Sequence, residues 1–507
     1  MPGKFRPAKI AGLTGLLLTA GTMNAYAFDF HYGDINGYFD TTVSTGMLFR
    51  VEKPDAKLAA GSSGDRNFDN GDMIDQTSKA VHDFNLQYHN VGIFARGTYF
   101  YNSVMDTNDR MNDATRQAGR SDAKFLDYFV YGDWDLSDTS RLHLRAGSQV
   151  VSWGESTFFT NGINQINPQD VVKARQAGAE VKEILVPLPM VWAGVDITGN
   201  WSIEAMQMLR WQETEIDPVG SYFSTSNLLG DGINSALGPL TRMQDREADD
   251  TGTYGVSTHF TVEALDYTDF GLYFINYSSY NPAINVLPDP DGVGPAAAHY
   301  FADFVEDIKL YGASFNATVG KTSVAGEFSY QDNFPIQLGG AGLGAAVGAA
   351  VGGTKLDTYR RLGYSQGQVT VTYVFPPNVI PTTSQTTSAT EIVWGHVYQY
   401  TNEADLGGVT SNATAIRTSI GPQWAGLFTL PYLGRFDLNG TIDFQMGLSG
   451  LAPAGGPPGK NTNQLGLALE AVHANKLSMR AEYTRFAGPA NGRRDRDYAG
   501  VSLKYSF

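Results

Sequence analysis

The sequence contains no cysteine, which excludes a disulfide framework and thiol chemistry. It is also poor in long apolar runs, since its N-terminal apolar stretch, residues 10–20, is well short of the roughly 20 residues that a membrane-spanning helix needs. Positive charge is in the minority, with 36 basic residues against 52 acidic ones and a formal net charge of -16. Such acidity argues against nucleic-acid binding, which requires a cationic surface.

The beginning of the chain has the features of a targeting segment. Lys4, Arg6 and Lys9 give a basic start, an apolar stretch follows, and Ala25 and Ala27 fit a small-x-small cleavage site. We therefore predict that residues 1–27 are a signal peptide and that the exported chain carries a net charge of -19, because three basic residues are removed. No linker or shift in composition divides the remainder, so a single domain is expected over residues 28–507.

Apolar residues occupy every second position in many segments of the exported chain. In the clearest case, Phe436, Leu438 and Ile442 alternate with Arg435 and Asp437. A period of two is that of a β-strand whose two faces differ chemically. The 18 strands predicted in this way cover residues 36–50, 79–89, 91–104, 123–136, 140–153, 188–199, 201–214, 252–264, 268–281, 307–319, 322–333, 364–375, 389–400, 414–428, 434–447, 463–474, 476–487 and 497–507.

Short and long connections alternate between these strands. Tight turns such as 89–91 and 320–321 are separated by long polar stretches such as 215–251. Only the connection 376–388 is long where the alternation requires a tight turn. Outer-membrane barrels have short periplasmic turns and long external loops, and in hydrocarbon a sheet must close upon itself to pair its backbone. We therefore predict an all-β fold, a transmembrane antiparallel up-and-down β-barrel in the bacterial outer membrane. A soluble β-sandwich with its apolar faces turned inward is the alternative.

Tyrosine and tryptophan mark many of the strand ends, among them Trp134, Trp153, Trp192 and Trp201. Amphipathic rings sit well at the level of the lipid headgroups. This placement predicts aromatic girdles.

In one long segment apolar and polar residues do not alternate. We predict that this segment, residues 154–187, is a plug-like insert inside the barrel. Pro168 opens an expected short helix that runs to about Gln176, because proline suits a first helical turn. An ordinary surface loop is the alternative. The residues expected to form the insert or gate are Trp153, Glu155, Asn164, Asn167, Pro168, Asp170, Lys173, Arg175, Glu180 and Glu183.

Charged residues fall on the face of the strands that would line the barrel interior. These candidates for solute selectivity are Arg96, Arg141, Arg145, Arg210, Arg435, Arg480, Glu204, Glu263, Glu327, Asp437 and Asp443. Charged ladders can select ions or solutes in pores. Alternatively, the charges merely pair with one another and with the insert.

The sequence offers little evidence for a metal site or for catalysis. Asp65, Asn67 and Asp69 place oxygen ligands at every second position, as calcium loops do, but the glycine is displaced and no bidentate glutamate follows. No catalytic motif stands in the required setting, so no enzyme activity and no cofactor other than this weak calcium candidate is expected. The connection 334–363 carries an apolar glycine and alanine tract, which could fold inward, contact lipid or form a flexible linker.

The residues around the insert resemble the signature block of a proteobacterial outer-membrane family labelled a domain of unknown function, DUF1302. The segments that carry the resemblance are Trp153–Ser156, Gly162–Asn164, Ile166–Pro168, Lys173–Arg175, Gly178–Glu180 and Leu185–Pro187. The resemblance implies an outer-membrane barrel that is often encoded beside envelope export proteins, which would be partners in the traffic of hydrophobic molecules. In architecture it is also similar to plugged long-chain fatty-acid channels, and this is an analogy only.

Together these features predict a channel or transporter for hydrophobic or amphipathic small molecules that is gated by the insert. A diffusion porin for small polar solutes and a structural outer-membrane protein without transport are the two alternatives. The expected partners are outer-membrane lipid, lipopolysaccharide and the barrel assembly machinery, which would read the terminal strand that ends in Phe507.

Overall fold

The computed structural model describes residues 28–59, 62–225, 227–233, 240–289, 291, 298–398, 409–431, 434–453 and 455–507. The predicted signal peptide lies outside the described residues.

Strands dominate the described chain. They are β1 (Phe28–Tyr32), β2 (Ile35–Arg50), β3 (Met73–Tyr88), β4 (Val91–Asn102), β5 (Ser121–Asp135), β6 (Arg141–Gln149), β7 (Leu188–Thr198), β8 (Trp201–Met208), β9 (Thr241–Arg242), β10 (Tyr254–Val262), β11 (Thr268–Tyr277), β12 (Ala283–Pro288), β13 (Ala298–Asp303), β14 (Ile308–Val319), β15 (Thr322–Gln337), β16 (Tyr359–Phe375), β17 (Gln385–Val397), β18 (Asn412–Leu430), β19 (Gly434–Ser449), β20 (Asn463–His473), β21 (Leu477–Ala487) and β22 (Tyr498–Ser506).

Helices are short and lie in the connections. They are α1 (Ala56–Ala59), α2 (Ser63–Arg66), α3 (Ser103–Thr107), α4 (Asp113–Arg120), α5 (Val181–Ile184) and α6 (Gly340–Val351), with 3-10 turns at Lys173–Arg175 and Glu263–Leu265. Within the described ranges, no helix is both long enough and apolar enough to cross a membrane.

The large sheet closes into a barrel of 18 antiparallel strands. Each strand pairs with its neighbour in the chain, and β2 pairs with β22 through a register in which Thr42 faces Ser506. The remaining strand of the large sheet, β1, is a short hairpin arm on β2. Closure leaves no open sheet edge, which is the condition for a sheet to span hydrocarbon. The predicted all-β barrel is therefore confirmed.

The two faces of the wall differ as the alternation predicted. Ile392, Ile442 and Leu469 are 52%, 42% and 47% exposed on the outer face, whereas the inward Glu391 and Asp443 are 0% and 8% exposed. An outward apolar face is what the lipid environment of an outer-membrane barrel requires. The protein is a bacterial outer-membrane barrel.

One outward residue departs from this pattern. Phe436 is fully buried on the outer face, because the Phe428 ring stacks on it at 5.3 Å between centroids and the His473 ring lies 5.1 Å away. Neighbouring rings therefore cover it.

All short turns lie at one end of the barrel and the long connections lie at the other. Gly199 and Asn200 join β7 to β8, and Gly320 with φ of +62° begins the turn between β14 and β15. The connection 376–384 between β16 and β17 lies at this same end and is the longest of its turns among the described residues. The termini of the barrel strands meet there too, where Thr41 and Phe507 exchange two backbone hydrogen bonds.

The glycine and alanine tract folds as helix α6 rather than as a flexible linker. It packs on a small three-stranded sheet of β9, β12 and β13, which is separate from the barrel sheet and is formed by the long connections. Ala350 of the helix is fully buried in a cluster with Ile284, Val286 and Tyr300. Small side chains allow a helix to approach a sheet closely, so the tract serves packing in an external cap.

We expect Ile442→Arg to destabilise the barrel by about 2–4 kcal/mol, because it places a charge on the lipid face near the middle of β19. Unfolding in denaturant from lipid vesicles measures the effect. Thr441→Arg is the matched control, since Thr441 alternates with Ile442 and lies on the same inward face of β19 as Asp443. Equal stability losses in the two variants would contradict the assignment of the faces.

Candidate functional site

Residues 150–187, here called the crossing segment, connect β6 to β7 and carry most of the candidate insert residues. The expected helix from Pro168 to Gln176 is wrong. Gln169 and Leu185 form an antiparallel bridge, and Asp170 N donates to Ile184 O at 2.7 Å, so the segment doubles back on itself. Only its tip is helical, in the 3-10 turn Lys173–Arg175 and in α5.

Asn167 fixes the base of the crossing segment. Its side-chain oxygen accepts a hydrogen bond from Val151 N at 3.0 Å, and its amide nitrogen donates to Gln149 O and Val186 O at 3.2 and 2.9 Å. Since Val186 N also donates to Pro168 O at 2.9 Å, the entering and leaving chains are tied together. The base is therefore closed by backbone carbonyls and one buried amide.

The carboxylate of Glu327 on β15 binds the backbone of the crossing segment. It accepts hydrogen bonds from the backbone N–H groups of Glu155, Ser156 and Ile163 at 2.6, 3.1 and 2.9 Å. The side-chain amide of Gln368 donates to it at 3.0 Å. These donors satisfy a buried carboxylate without a cation.

Glu391 on β17 does the same for the next residues. It accepts from the backbone N–H groups of Thr157, Phe158 and Phe159 at 3.0, 2.7 and 2.9 Å, and from the hydroxyl of Thr370 at 3.1 Å. Its side chain is fully buried. Two neighbouring carboxylates of the wall thus hold six backbone N–H groups of one loop.

The far part of the crossing segment meets the wall through lysine and carboxylate side chains. The ion pairs are Lys79 with Glu183, Lys182 with Asp83 at 3.6 Å and Lys504 with Glu180 at 3.4 Å. Although burial opposes the charge of Glu180, Lys182 and Lys504 hold its pKa below the usual value. Lys79 and Glu183 are 3% and 2% exposed, so this pair is buried.

These two sets of contacts lie on opposite sides of the barrel. Counted from β2 around the closed sheet, β3 with Lys79 and Asp83 is the second strand and β15 with Glu327 is the eleventh of 18. One segment therefore contacts inward-facing residues of diametrically opposed strands. Ile163 and Ile166, both fully buried, lie in an apolar cluster with wall residues of β7, β8, β11 and β14.

A cluster of four charges surrounds the tip. Lys124 Nζ lies 2.6 Å from Glu215 Oε1 and 3.7 Å from Asp170 Oδ2, while Lys173 Nζ lies 3.3 Å from the same Asp170 oxygen. Burial, with repulsion from Glu215, raises the pKa of Asp170 to about 6. Burial, with repulsion from Lys124, lowers the pKa of Lys173.

Three other candidate insert residues make local contacts. Asn164 donates to the Ser152 hydroxyl at 2.9 Å, and Glu155 accepts from the Asn316 amide at 2.9 Å. Burial raises the pKa of Glu155. Arg175 forms an ion pair with Asp217 of the external connection 209–253.

Four of the eleven candidate interior charges form ion pairs: Arg96, Arg141, Arg480 and Asp443. Arg96 binds Asp83 at 2.7 Å and Asp127 at 3.0 Å, and the other pairs are Arg141 with Asp135 at 2.7 Å, Arg417 with Asp443 at 3.0 Å and Arg480 with Glu482 at 2.9 Å. At the short-turn rim, Arg435 donates to Ala425 O at 3.2 Å and Asp437 accepts from Gly426 N at 2.6 Å.

Two of the candidate interior charges were placed wrongly. Arg210 is exposed in the external connection because β8 ends at Met208, before the predicted strand does. Glu263 is exposed in a 3-10 turn because β10 ends at Val262. The alternation of residue types continues past both strand ends, where no neighbour remains to pair the backbone.

Two predicted girdle tryptophans instead face the interior. The indole N–H groups of Trp153 and Trp192 both donate to Glu204 Oε2, at 2.8 and 3.0 Å. The Arg145 guanidinium lies 4.2 Å from the centroid of the Trp192 ring and 5.9 Å from that of Phe129. This group joins the start of the crossing segment to the wall.

A cavity of about 530 Å³ opens at the short-turn end of the same side of the barrel. Its lining is mostly polar and includes Arg141, Asp196, His259 and Asp269. His259 Nδ1 lies 3.0 Å from Asp269, and its other ring nitrogen lies 3.3 Å from the Tyr273 hydroxyl. The arrangement forms a polar vestibule below the crossing segment.

The calcium candidates have different partners. Asp65 is fully buried between Arg50 and Arg496 at 3.4 and 3.0 Å, Asn67 donates to Gly220 O at 2.8 Å, and Asp69 pairs with Arg110 at 2.8 Å. Among the described residues, no group of three or more metal-binding side chains converges on one point. The Arg50, Asp65 and Arg496 cluster instead joins the external connections.

Sequence reasoning missed several residues that hold the crossing segment, above all Glu391, Lys79, Lys182 and Lys504. Glu391 occupies the inward parity of a predicted strand, as Glu327 does, so the alternation offered the same signal for both. Lys79 and Lys504 likewise occupy inward positions of predicted strands, and Lys182 lies in the predicted insert. Only their pairing could not be predicted, because the partners lie far away in the chain.

The chain is similar to one protein family and to several outer-membrane channels of known structure. Residues 8–507 match the model of a family described as "Protein of unknown function (DUF1302)". None of the curated proteins matches the chain. Similar solved structures include OccAB1 of Acinetobacter baumannii, with 12% identity, 96% of this chain and 98% of that chain covered, and a TM-score of 0.48.

Two further structures are similar at the same level. OccK1 (OpdK) of Pseudomonas aeruginosa has 10% identity over 93% of this chain and 98% of that chain, with a TM-score of 0.45. A BenF-like porin of Pseudomonas fluorescens has 8% identity over 93% of this chain and 98% of that chain, with a TM-score of 0.47.

Glu391→Gln should loosen the crossing segment by roughly 1.5–3 kcal/mol, because an amide cannot accept from all three backbone N–H groups and loses the charge that strengthens them. Hydrogen exchange at residues 157–159 measures the change. Glu482→Gln is the matched control, since that interior carboxylate pairs with Arg480 and not with the segment. Unchanged protection of these amides would contradict the role of Glu391.

Protonation of Asp170 should change stability in the direction opposite to that of an ordinary paired carboxylate. Its pKa is about 6 in the fold and about 3.8 when unfolded, so the folded state binds the proton first and this group stabilises the fold as pH falls from about 7 to 4. The contribution is on the order of 2–3 kcal/mol at most. Unfolding of the wild type and of Asp170→Asn across this range should differ by a term that grows toward low pH. A constant difference would contradict it.

Proposed function

Because the chain belongs to the DUF1302 family over residues 8–507 and forms a closed outer-membrane barrel, we propose that it is a channel for hydrophobic or amphipathic small molecules, with the crossing segment as its gate. The observation that carries the proposal is the contact of one segment with opposed strands of the barrel. A segment that spans the bore in this way limits the passage of any solute.

The two attachments of the crossing segment differ in kind. Residues 155–163 are held through backbone N–H groups by buried carboxylates, which exclude water. Residues 179–184 are held mainly by side-chain ion pairs, of which Lys182 and Lys504 are 26% and 37% exposed. Water and salt can replace these two exposed pairs at little cost, whereas the buried pair of Lys79 with Glu183 must also break before residues 179–184 leave the wall. We therefore place the moving part of the gate on the side of β3 and β22.

The interior near the gate supports an amphipathic solute. Trp192 is partly exposed and presents aromatic surface beside the carboxylate of Glu204, while Trp153 and Tyr273 are buried behind it. The polar vestibule reaches this group through His259, which contacts the Tyr273 hydroxyl. Binding sites for small molecules combine apolar walls with a few polar groups that fix orientation. A solute with both kinds of surface matches this lining better than a sugar or a simple ion does.

The vestibule itself favours a second candidate function. Its polar lining, with Arg141, Asp196 and Asp269, is also suited to a diffusion porin for small polar solutes. The two functions differ in what the closed segment permits. A porin conducts small ions with the segment intact, whereas a gated channel does so only when the segment is displaced.

The geometry allows a precise truncation of the gate. Asp170 and Ile184 are already joined by a backbone hydrogen bond, so residues 171–183 can be replaced by an Asn-Gly turn without disturbing the Glu327 and Glu391 contacts. We expect the variant to conduct several-fold more current in planar bilayers than the wild type. The wild type should pass little current, because the segment still crosses the bore.

A deletion of similar size elsewhere serves as control. Replacing residues 342–351 of α6 by two residues shortens the external cap, which does not carry the polar contacts of the gate. This variant should conduct like the wild type. Large current through the wild type would favour the porin, and no current through either truncation would leave a structural role.

A further inference from the structure

Arg145 stands apart from the other interior arginines. Arg96, Arg141, Arg417 and Arg480 each have a carboxylate partner within 3.1 Å, whereas Arg145 has no ion pair or hydrogen bond to any residue that the structure describes. Its Nε atom is buried and without a partner. Guanidinium groups carry five N–H donors, so this one retains donors for a ligand.

The carboxylates around Arg145 are already engaged. Glu204 accepts the indole N–H groups of Trp153 and Trp192, Asp127 binds Arg96 at 3.0 Å, and Asp133 binds His143. Arg145 is instead held in place by neighbouring aromatic rings, since its guanidinium lies 4.2 Å from the centroid of the Trp192 ring. The wall thus positions a cation and leaves its hydrogen-bonding edge free.

The position of Arg145 connects the vestibule with the gate. Arg141, which lines the vestibule, lies two inward-facing positions away on β6. On its other side, Trp192 shares Glu204 with Trp153 of the crossing segment. Arg145 itself does not line the vestibule, so a solute reaches it only after passing Arg141 and His143 on β6.

We propose that Arg145, with Trp192 and Phe129, is a binding subsite for the carboxylate of a small amphipathic acid. The free donors of the guanidinium bind the carboxylate in its preferred forked geometry, and the neighbouring rings cover the apolar body. This inference rests on the proposed channel function and names the class of solute.

Binding of benzoate and hexanoate to the purified full-length barrel tests the subsite, with quenching of tryptophan fluorescence as the signal. Benzamide and hexanol are the neutral analogues, and comparison of the two acids distinguishes an aromatic from an acyl body. We expect Arg145→Met to weaken acid binding about tenfold or more, because a charged hydrogen-bonding partner is lost. Arg145→Lys should lose less, since it keeps the charge but not the fork.

Arg480→Met is the matched control, because it removes an interior arginine that is already paired with Glu482, and it should bind the acids within about twofold of the wild type. The heat-dependent shift of the barrel on electrophoresis shows that each variant is folded. Equal binding by the wild type and both Arg145 variants, or equal binding of acids and neutral analogues, would overturn the subsite. Loss of acid binding on Arg145→Met without any current from the truncated gate would retain the subsite and reject the channel.

Discussion

Every backbone N–H group inside a membrane needs an acceptor, and this constraint organises both the wall and the interior of the protein. The wall meets it by closing 18 strands upon themselves. The crossing segment has no sheet partner along residues 155–163, so two wall carboxylates, Glu327 and Glu391, supply the acceptors. The irregular loop is thereby held in the barrel without forming secondary structure.

The choice of carboxylates also explains how negative charge is tolerated. Glu391 is fully buried and has no lysine or arginine within ion-pair distance among the described residues. Three backbone N–H dipoles and one hydroxyl replace a counterion. Lysines are used on the other side of the bore, where the segment presents Glu180 and Glu183. The acidic composition is thus partly a requirement of holding a loop inside a barrel.

The sequence was most informative where one physical rule acts along the whole strand. A period of two located all 18 strands, because each has one lipid face and one wet face. It failed at Arg210 and Glu263, where the alternation of residue types outlasts the pairing. The preference of proline for a first helical turn also predicted a helix after Pro168, which is wrong because the bridge between Gln169 and Leu185 overrides that local preference. Local propensity is weak against such tertiary contacts.

Glu204 is the point where the wall, the crossing segment and Arg145 meet. While Trp153 and Trp192 both donate to it, the carboxylate is held away from Arg145, whose donors stay free. The two indole donors satisfy Glu204 without a cation, so Arg145 is not needed as its counterion. Trp153 is buried at the base of the crossing segment, next to the backbone that Glu327 binds. The exposed ion pairs of residues 179–184 are therefore the part of the segment that water and salt can release.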